Sequence, residues 1–145
     1  MTCISHSEEE TQRIGKEISK RLKNGDVVGL YGELGSGKTV FAKGIAEGLK
    51  SKVQVKSPSF TIVNEYRGEY TIYHIDLYRI DREDDFLKLG FDDYFYTNGI
   101  CVIEWADKIS DYLPPKGFDV YINILDKTTR EIKVLSRNKY AYTRN

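Results

Sequence analysis

Residues Gly32-Glu33-Leu34-Gly35-Ser36-Gly37-Lys38-Thr39 have the types and spacing to hold a chain of phosphates. They satisfy G-x-x-x-x-G-K-[ST] in full, between a run that reads as a strand and one that reads as a helix, which is the context this loop requires. Glycines let backbone N–H groups curl around phosphate oxygens with no Cβ in the way. The helix that follows offers unpaired amides and the positive end of its dipole to the same anion. Lys38 is placed to reach the β- and γ-phosphates and to stabilise charge that develops there. Thr39 can offer its hydroxyl to magnesium, which prefers octahedral oxygen ligands. The expected ligands of Gly32 to Thr39 are therefore ATP and Mg2+.

Such a loop needs a second carboxylate at the end of a neighbouring strand to complete the metal site. Ile100-Cys101-Val102-Ile103 delivers Glu104 at the mouth of an apolar strand, where ligands collect in open α/β sheets. Glu104 is the first choice for metal. Asp76 ends the run Thr71 to Ile75, and period-two alternation places it on one face with His74 and Tyr78. It is a candidate to orient attacking water or to hold a metal-bound water. His74 reads either as a packed strand residue or as part of the chemistry. Trp105 serves the core, reports on the site or touches a partner, and Ser57-Pro58-Ser59-Phe60-Thr61 is either a plain turn or a segment that senses the γ-phosphate.

The elements that must position these residues are legible in the pattern. Ser7 and Glu10 form a capping box, and Ile14, Ile18 and Leu22 recur at four-residue steps before Asn24-Gly25, predicting an amphipathic helix. Val27 to Tyr31 reads as a buried strand, and Phe41, Ala42, Ile45, Ala46 and Leu49 supply the apolar face of the helix after the loop. Thr61 to Tyr66 and Tyr70 to Asp76 flank Arg67-Gly68-Glu69 as a hairpin. Glu83 to Leu89 reads as a short helix stopped by Gly90, Ile100 to Ile103 as a central strand, and Ala106 to Leu113 as another short helix. After Pro114-Pro115, Val120 to Leu125 and Glu131 to Ser136 pair across Asp126 to Thr129. The fold expected is α/β: a P-loop NTPase-like three-layer sandwich whose mixed central sheet has parallel core strands plus antiparallel hairpins.

The chain has 145 residues, a length that suits a single domain over 1–145. Acidic and basic side chains balance at 22 each, so no electrostatic footprint calls for nucleic acid or anionic lipid. Cys3 and Cys101 match no metal-ligand spacing and read as free thiols. No stretch is long and apolar enough for a membrane span, and a soluble, cytoplasmic protein with no membrane partner is expected. A guanine-specific switch lacks its Asn-Lys-x-Asp, and a small-molecule kinase lacks an arginine-rich lid between Arg79 and Tyr96.

Several separated segments agree with one family. The chain resembles TsaE (also called YjeE), the small ATPase of bacterial tRNA threonylcarbamoyladenosine (t6A) synthesis. The resemblance rests on the loop at 32 to 39, Ser57-Pro58-Ser59-Phe60-Thr61, His74-Ile75-Asp76-Leu77-Tyr78-Arg79, Leu89-Gly90, Asp93-Tyr94-Phe95 and Ile103-Glu104-Trp105. It implies that Thr39 and Glu104 hold magnesium, that Asp76 is needed for hydrolysis, and that Thr61 belongs to a mobile loop near the γ-phosphate. It implies as partners the protein subunits of the threonylcarbamoyl transferase complex, TsaD and TsaB-like proteins, with tRNA contact indirect or weak. Ser59 stands where the family commonly has threonine, which keeps the hydroxyl.

Overall fold

Alternating strand and helix signals resolve into one seven-stranded sheet, in a computed structural model that describes residues 1–52 and 62–137. In chain order the elements are β1 (Thr2–Ser5), α1 (Glu8–Ser19), β2 (Val27–Tyr31), α2 (Lys38–Gly48), β3 (Val63–Arg67), β4 (Thr71–Asp76) and α3 (Glu83–Lys88). A 3₁₀ helix (Phe91–Tyr96), β5 (Ile100–Glu104), a second 3₁₀ helix (Ala106–Tyr112), β6 (Gly117–Ile124) and β7 (Arg130–Ser136) follow. The strand order is β1-β7-β6-β2-β5-β4-β3. Neighbours from β6 through β2 and β5 to β4 pair parallel, while β3, β7 and β1 pair antiparallel. This is the mixed sheet expected, with the parallel strands at its centre.

Successive residues of the central strands feed opposite faces. Val28, Leu30, Ile100 and Val102 pack with Ile18, Phe41, Ile45 and Leu49 beneath α1 and α2. Val27, Ile75, Cys101 and Ile103 pack with Phe86, Phe95, Ala106 and Ile109 on the other face. β5 is buried at every position, which is why its sequence reads as an unbroken apolar run rather than an alternation. Each such buried aliphatic side chain contributes about 1.5–3 kcal/mol of transfer free energy. Helices α1 and α2 meet through glycines: a Cβ at Gly15 would run into the Phe41 carbonyl, and one at Gly44 into that of Gln12. That close approach fixes α2, and hence the loop before it, against the body of the protein.

Several local expectations are corrected. Helix α1 stops at Ser19, so Leu22 is buried from the following turn rather than from a fourth helical turn. Ser7 Oγ accepts from the Glu10 amide at 3.1 Å, but the Glu10 carboxylate reaches past Ser7 to the His6 amide at 2.8 Å, so the capping box is not reciprocal. The short helix expected at Ala106 to Leu113 is present, as a 3₁₀ helix over Ala106–Tyr112 interrupted at Ile109. Tyr78 does not share a strand face with Asp76. β4 ends at Asp76, whose carboxylate accepts the Tyr78 amide at 2.9 Å and turns the chain out of the strand. Thr61 and the segment Ser57 to Phe60 lie outside the described residues. Among the described residues no helix is long and apolar enough to cross a membrane.

Candidate functional site at the strand ends

The parallel strands bring their carboxyl ends to one edge, as ligand-binding α/β sheets do. Leu30 of β2 aligns with Glu104 of β5, which aligns with Asp76 of β4, so the two acids stand side by side on the face that carries α2. The glycine loop leaves β2 directly above them. Gly35 and Gly37 hold φ of 79° and 110°, a left-handed backbone that residues with a Cβ rarely adopt. Gly37 is also the N-cap of α2 and gives it no side-chain cap, which leaves the first α2 amides to an external acceptor.

Lys38 is buried and folds back on its own loop, donating to the carbonyls of Gly32 at 2.6 Å and Glu33 at 3.0 Å. Its ammonium lies 3.7 Å from the centre of the Trp105 ring. Burial pushes its pKa below the usual lysine value, against the opposing pull of Glu104, Asp76 and Asp107. Trp105 is held in a left-handed conformation (φ 62°) as the chain turns out of β5, and its ring packs on Tyr78 at 5.3 Å.

Thr39 Oγ1 lies 2.9 Å from Glu104 Oε1 and 3.0 Å from Oε2, joining the two expected metal ligands directly. Glu104 Oε2 also meets His74 Nε2 at 2.6 Å, and His74 Nδ1 meets the Tyr66 hydroxyl at 3.3 Å. Asp76 has its pKa raised, chiefly by burial and further by the Glu104 charge, with the Tyr78 amide, His74 and Lys38 pulling the other way. An open depression of about 410 Å³ contains Lys38, Thr39, Asp76, Arg79, Glu104 and Trp105.

On the loop's other flank, Arg130 at the start of β7 donates to the carbonyls of Ser36 at 3.0 Å and Gly35 at 3.2 Å. The same guanidinium holds the β6–β7 turn through the Asp126 carbonyl at 2.8 Å. A second depression, of about 430 Å³, runs from Gly35–Gly37 between the start of α1 and Lys127, Thr128 and Arg130. Within the loop, Ser36 Oγ is buried and has no hydrogen-bond partner among the described residues.

The structure thus brings together Gly32 to Thr39, Glu104 and Asp76, while Thr61 lies outside the described residues. Sequence reasoning left the role of His74 open, did not single out Tyr66, and did not connect Arg130 to the loop. The signal for His74 was partial: it shares a strand face with Asp76, two positions along, but its partner Glu104 lies on another strand. Arg130 gave none, because an arginine after a hairpin turn reads as solvated.

Comparison with known proteins matches residues 5–132 to the family described as "Threonylcarbamoyl adenosine biosynthesis protein TsaE". A Treponema pallidum protein named tRNA threonylcarbamoyladenosine biosynthesis protein TsaE is 39% identical over 134 residues, covering 92% of this chain and 99% of the relative. The Bacillus subtilis protein of the same name is 45% identical over 125 residues, 86% of this chain and 78% of the relative. The crystal structure of Bacillus subtilis YdiB superposes with a TM-score of 0.77 at 37% identity, spanning 98% of this chain and 89% of that one.

Proposed function

The chain belongs to the TsaE family, and from that premise we propose that it is a magnesium-dependent ATPase subunit of the t6A modification machinery. The observation that carries the reading is the direct contact of Thr39 with Glu104 beneath a glycine loop that leaves the first α2 amides without a side-chain cap, with Asp76 alongside. The donor set fits magnesium. Among the described residues no three His, Cys, Asp or Glu side chains cluster to bind a metal unaided. Thr39 and Glu104 would hold the ion, with the nucleotide's oxygens and water completing an all-oxygen shell. The orphaned Ser36 hydroxyl and the uncapped α2 amides fit a phosphate ligand in the same loop.

When bound, magnesium supplies neutralisation of charge on the terminal phosphates. Lys38 exchanges its two loop carbonyls for those phosphates and stabilises the charge that builds in transfer. With Asp76 Oδ1 engaged by the Tyr78 amide, Oδ2 is left to orient the attacking water and accept its proton. The raised pKa of Asp76 makes it a stronger base for that purpose than a solvated aspartate. The depression beside α1 and Arg130 offers room for the nucleoside.

The partners are TsaD and TsaB-like subunits of the threonylcarbamoyl transferase, whose complex this chain drives or resets by ATP turnover in the cytoplasm. The balanced charge, 22 acidic against 22 basic residues, supports leaving most tRNA binding to those subunits. Phosphate release from Mg·ATP, measured for the chain alone and with the transferase subunits, tests the proposal. Slow turnover alone and faster turnover in the mixture are expected. Equal rates remove partner activation, and no release in either case removes the ATPase.

A further inference from the structure

We propose that His74, backed by Tyr66, is a positioning residue that withholds Glu104 Oε2 from a bound cation and thereby sets the site's preference for magnesium over calcium. The inference rests on the reading of Glu104 as a metal ligand. His74 is fully buried on the face that carries Ile72, Val102, Phe41 and Ala42. An imidazole there costs free energy unless both nitrogens are engaged. Both are: Nε2 meets Glu104 Oε2 at 2.6 Å and Nδ1 meets the Tyr66 hydroxyl at 3.3 Å.

The chemistry fixes the direction of this row. A carboxylate only accepts, so Nε2 carries the proton toward Glu104, and in the neutral ring Nδ1 then accepts from Tyr66. Asn64 Nδ2 in turn donates to the Tyr66 oxygen at 3.3 Å. Donors therefore run from β3 through β4 to the carboxylate on β5, and they hold one chosen oxygen. Oε1 has the Thr39 hydroxyl as its contact, whereas Oε2 has both Thr39 and the buried imidazole. A carboxylate restrained to offer one oxygen suits magnesium, which takes few protein ligands and keeps its waters. Calcium takes more ligands and gains from a bidentate carboxylate.

The test titrates Mg2+ and Ca2+ into the full chain with ADP present, following Trp105, the chain's sole tryptophan, whose ring faces Lys38. In His74→Ala the magnesium-to-calcium affinity ratio is expected to fall by about 10-fold or more. His74→Gln, whose amide can donate from a similar place, should restore most of it. Tyr66→Phe, which keeps the ring, should narrow the ratio by a smaller factor and serves if His74→Ala does not fold. A ratio unchanged in both His74→Ala and Tyr66→Phe, or equal weakening of both cations, overturns the proposal. Glu104→Gln separates the two layers of the argument. If it leaves the magnesium dependence of ADP binding intact, the metal-ligand reading falls and this inference with it. If it abolishes that dependence while the His74 ratio stands still, only this inference falls.

Discussion

Arg137–Asp119 and His74–Glu104 are both buried contacts of 2.6 Å between a nitrogen donor and a carboxylate, yet their surroundings differ. Arg137 also donates to the carbonyls of Pro114, Phe118 and Val27, and Asp119 accepts from Tyr31. The Tyr31 hydroxyl has its pKa raised by burial and then by Asp119, so it stays a donor. This knot ties β7 to the amino ends of β6 and β2, and every partner is protein. Glu104 instead faces a depression with Lys38 and Asp76, and its contacts include a Thr39 hydroxyl that a cation can take over. Where parallel strands begin, a saturated pair secures the sheet. Where they end, an exchangeable pair serves a ligand.

The sharpest way to press the difference is from the functional end. Asp76→Asn keeps the shape of the side chain and removes the base, so turnover of Mg·ATP is expected to fall by about 10²–10⁴-fold. Nucleotide affinity by calorimetry should change far less. Equal losses in both would assign Asp76 to binding instead.

The structural end should answer in the opposite currency. Arg137→Met leaves Asp119 buried without its cation, and chemical denaturation is expected to show a loss of about 3–5 kcal/mol. The fraction that remains folded should bind nucleotide as the unaltered chain does. A stable Arg137→Met variant with impaired binding would erase the distinction between the two pairs.

The smallest expected effect is on stability against pH. Burial raises the Asp76 pKa, so the folded chain holds this proton at pH values where the unfolded chain has lost it. Stability from this group is present below the ordinary aspartate value and is lost as pH rises through the folded one. Thermal melts of the ligand-free protein should show that decline, and Asp76→Asn should flatten it. An unchanged pH profile would mean that Asp76 does not feel its burial.

How far the molecule is legible in its sequence follows the same division. The glycine loop, β2, the all-buried β5 and the place of Glu104 are local patterns: an octet, an apolar run and the acid that ends it. Both hairpins were legible from turn residues between β-branched runs. Strand β1 was not, because Thr2–Ser5 is a short edge strand specified by its pairing with β7 rather than by any period of its own. The Ala106–Tyr112 segment carried helical spacing, but the left-handed Trp105 and the kink at Ile109 keep it from becoming an α-helix. His74 and Arg130 act through contacts made far along the chain, 30 residues to Glu104 and 94 to Ser36, and no local rule reaches that distance.

The central claim is that the loop after β2 receives the terminal phosphates of Mg·ATP on its amides and Lys38. Calorimetry of the folded chain with Mg·ATP, beside Lys38→Ala, tests it most directly. The account predicts saturable binding at or below about millimolar levels, weakened by about 10- to 100-fold in the variant, the value of one hydrogen-bonded charge. No heat from the unaltered chain, or equal affinity in the two, would contradict it.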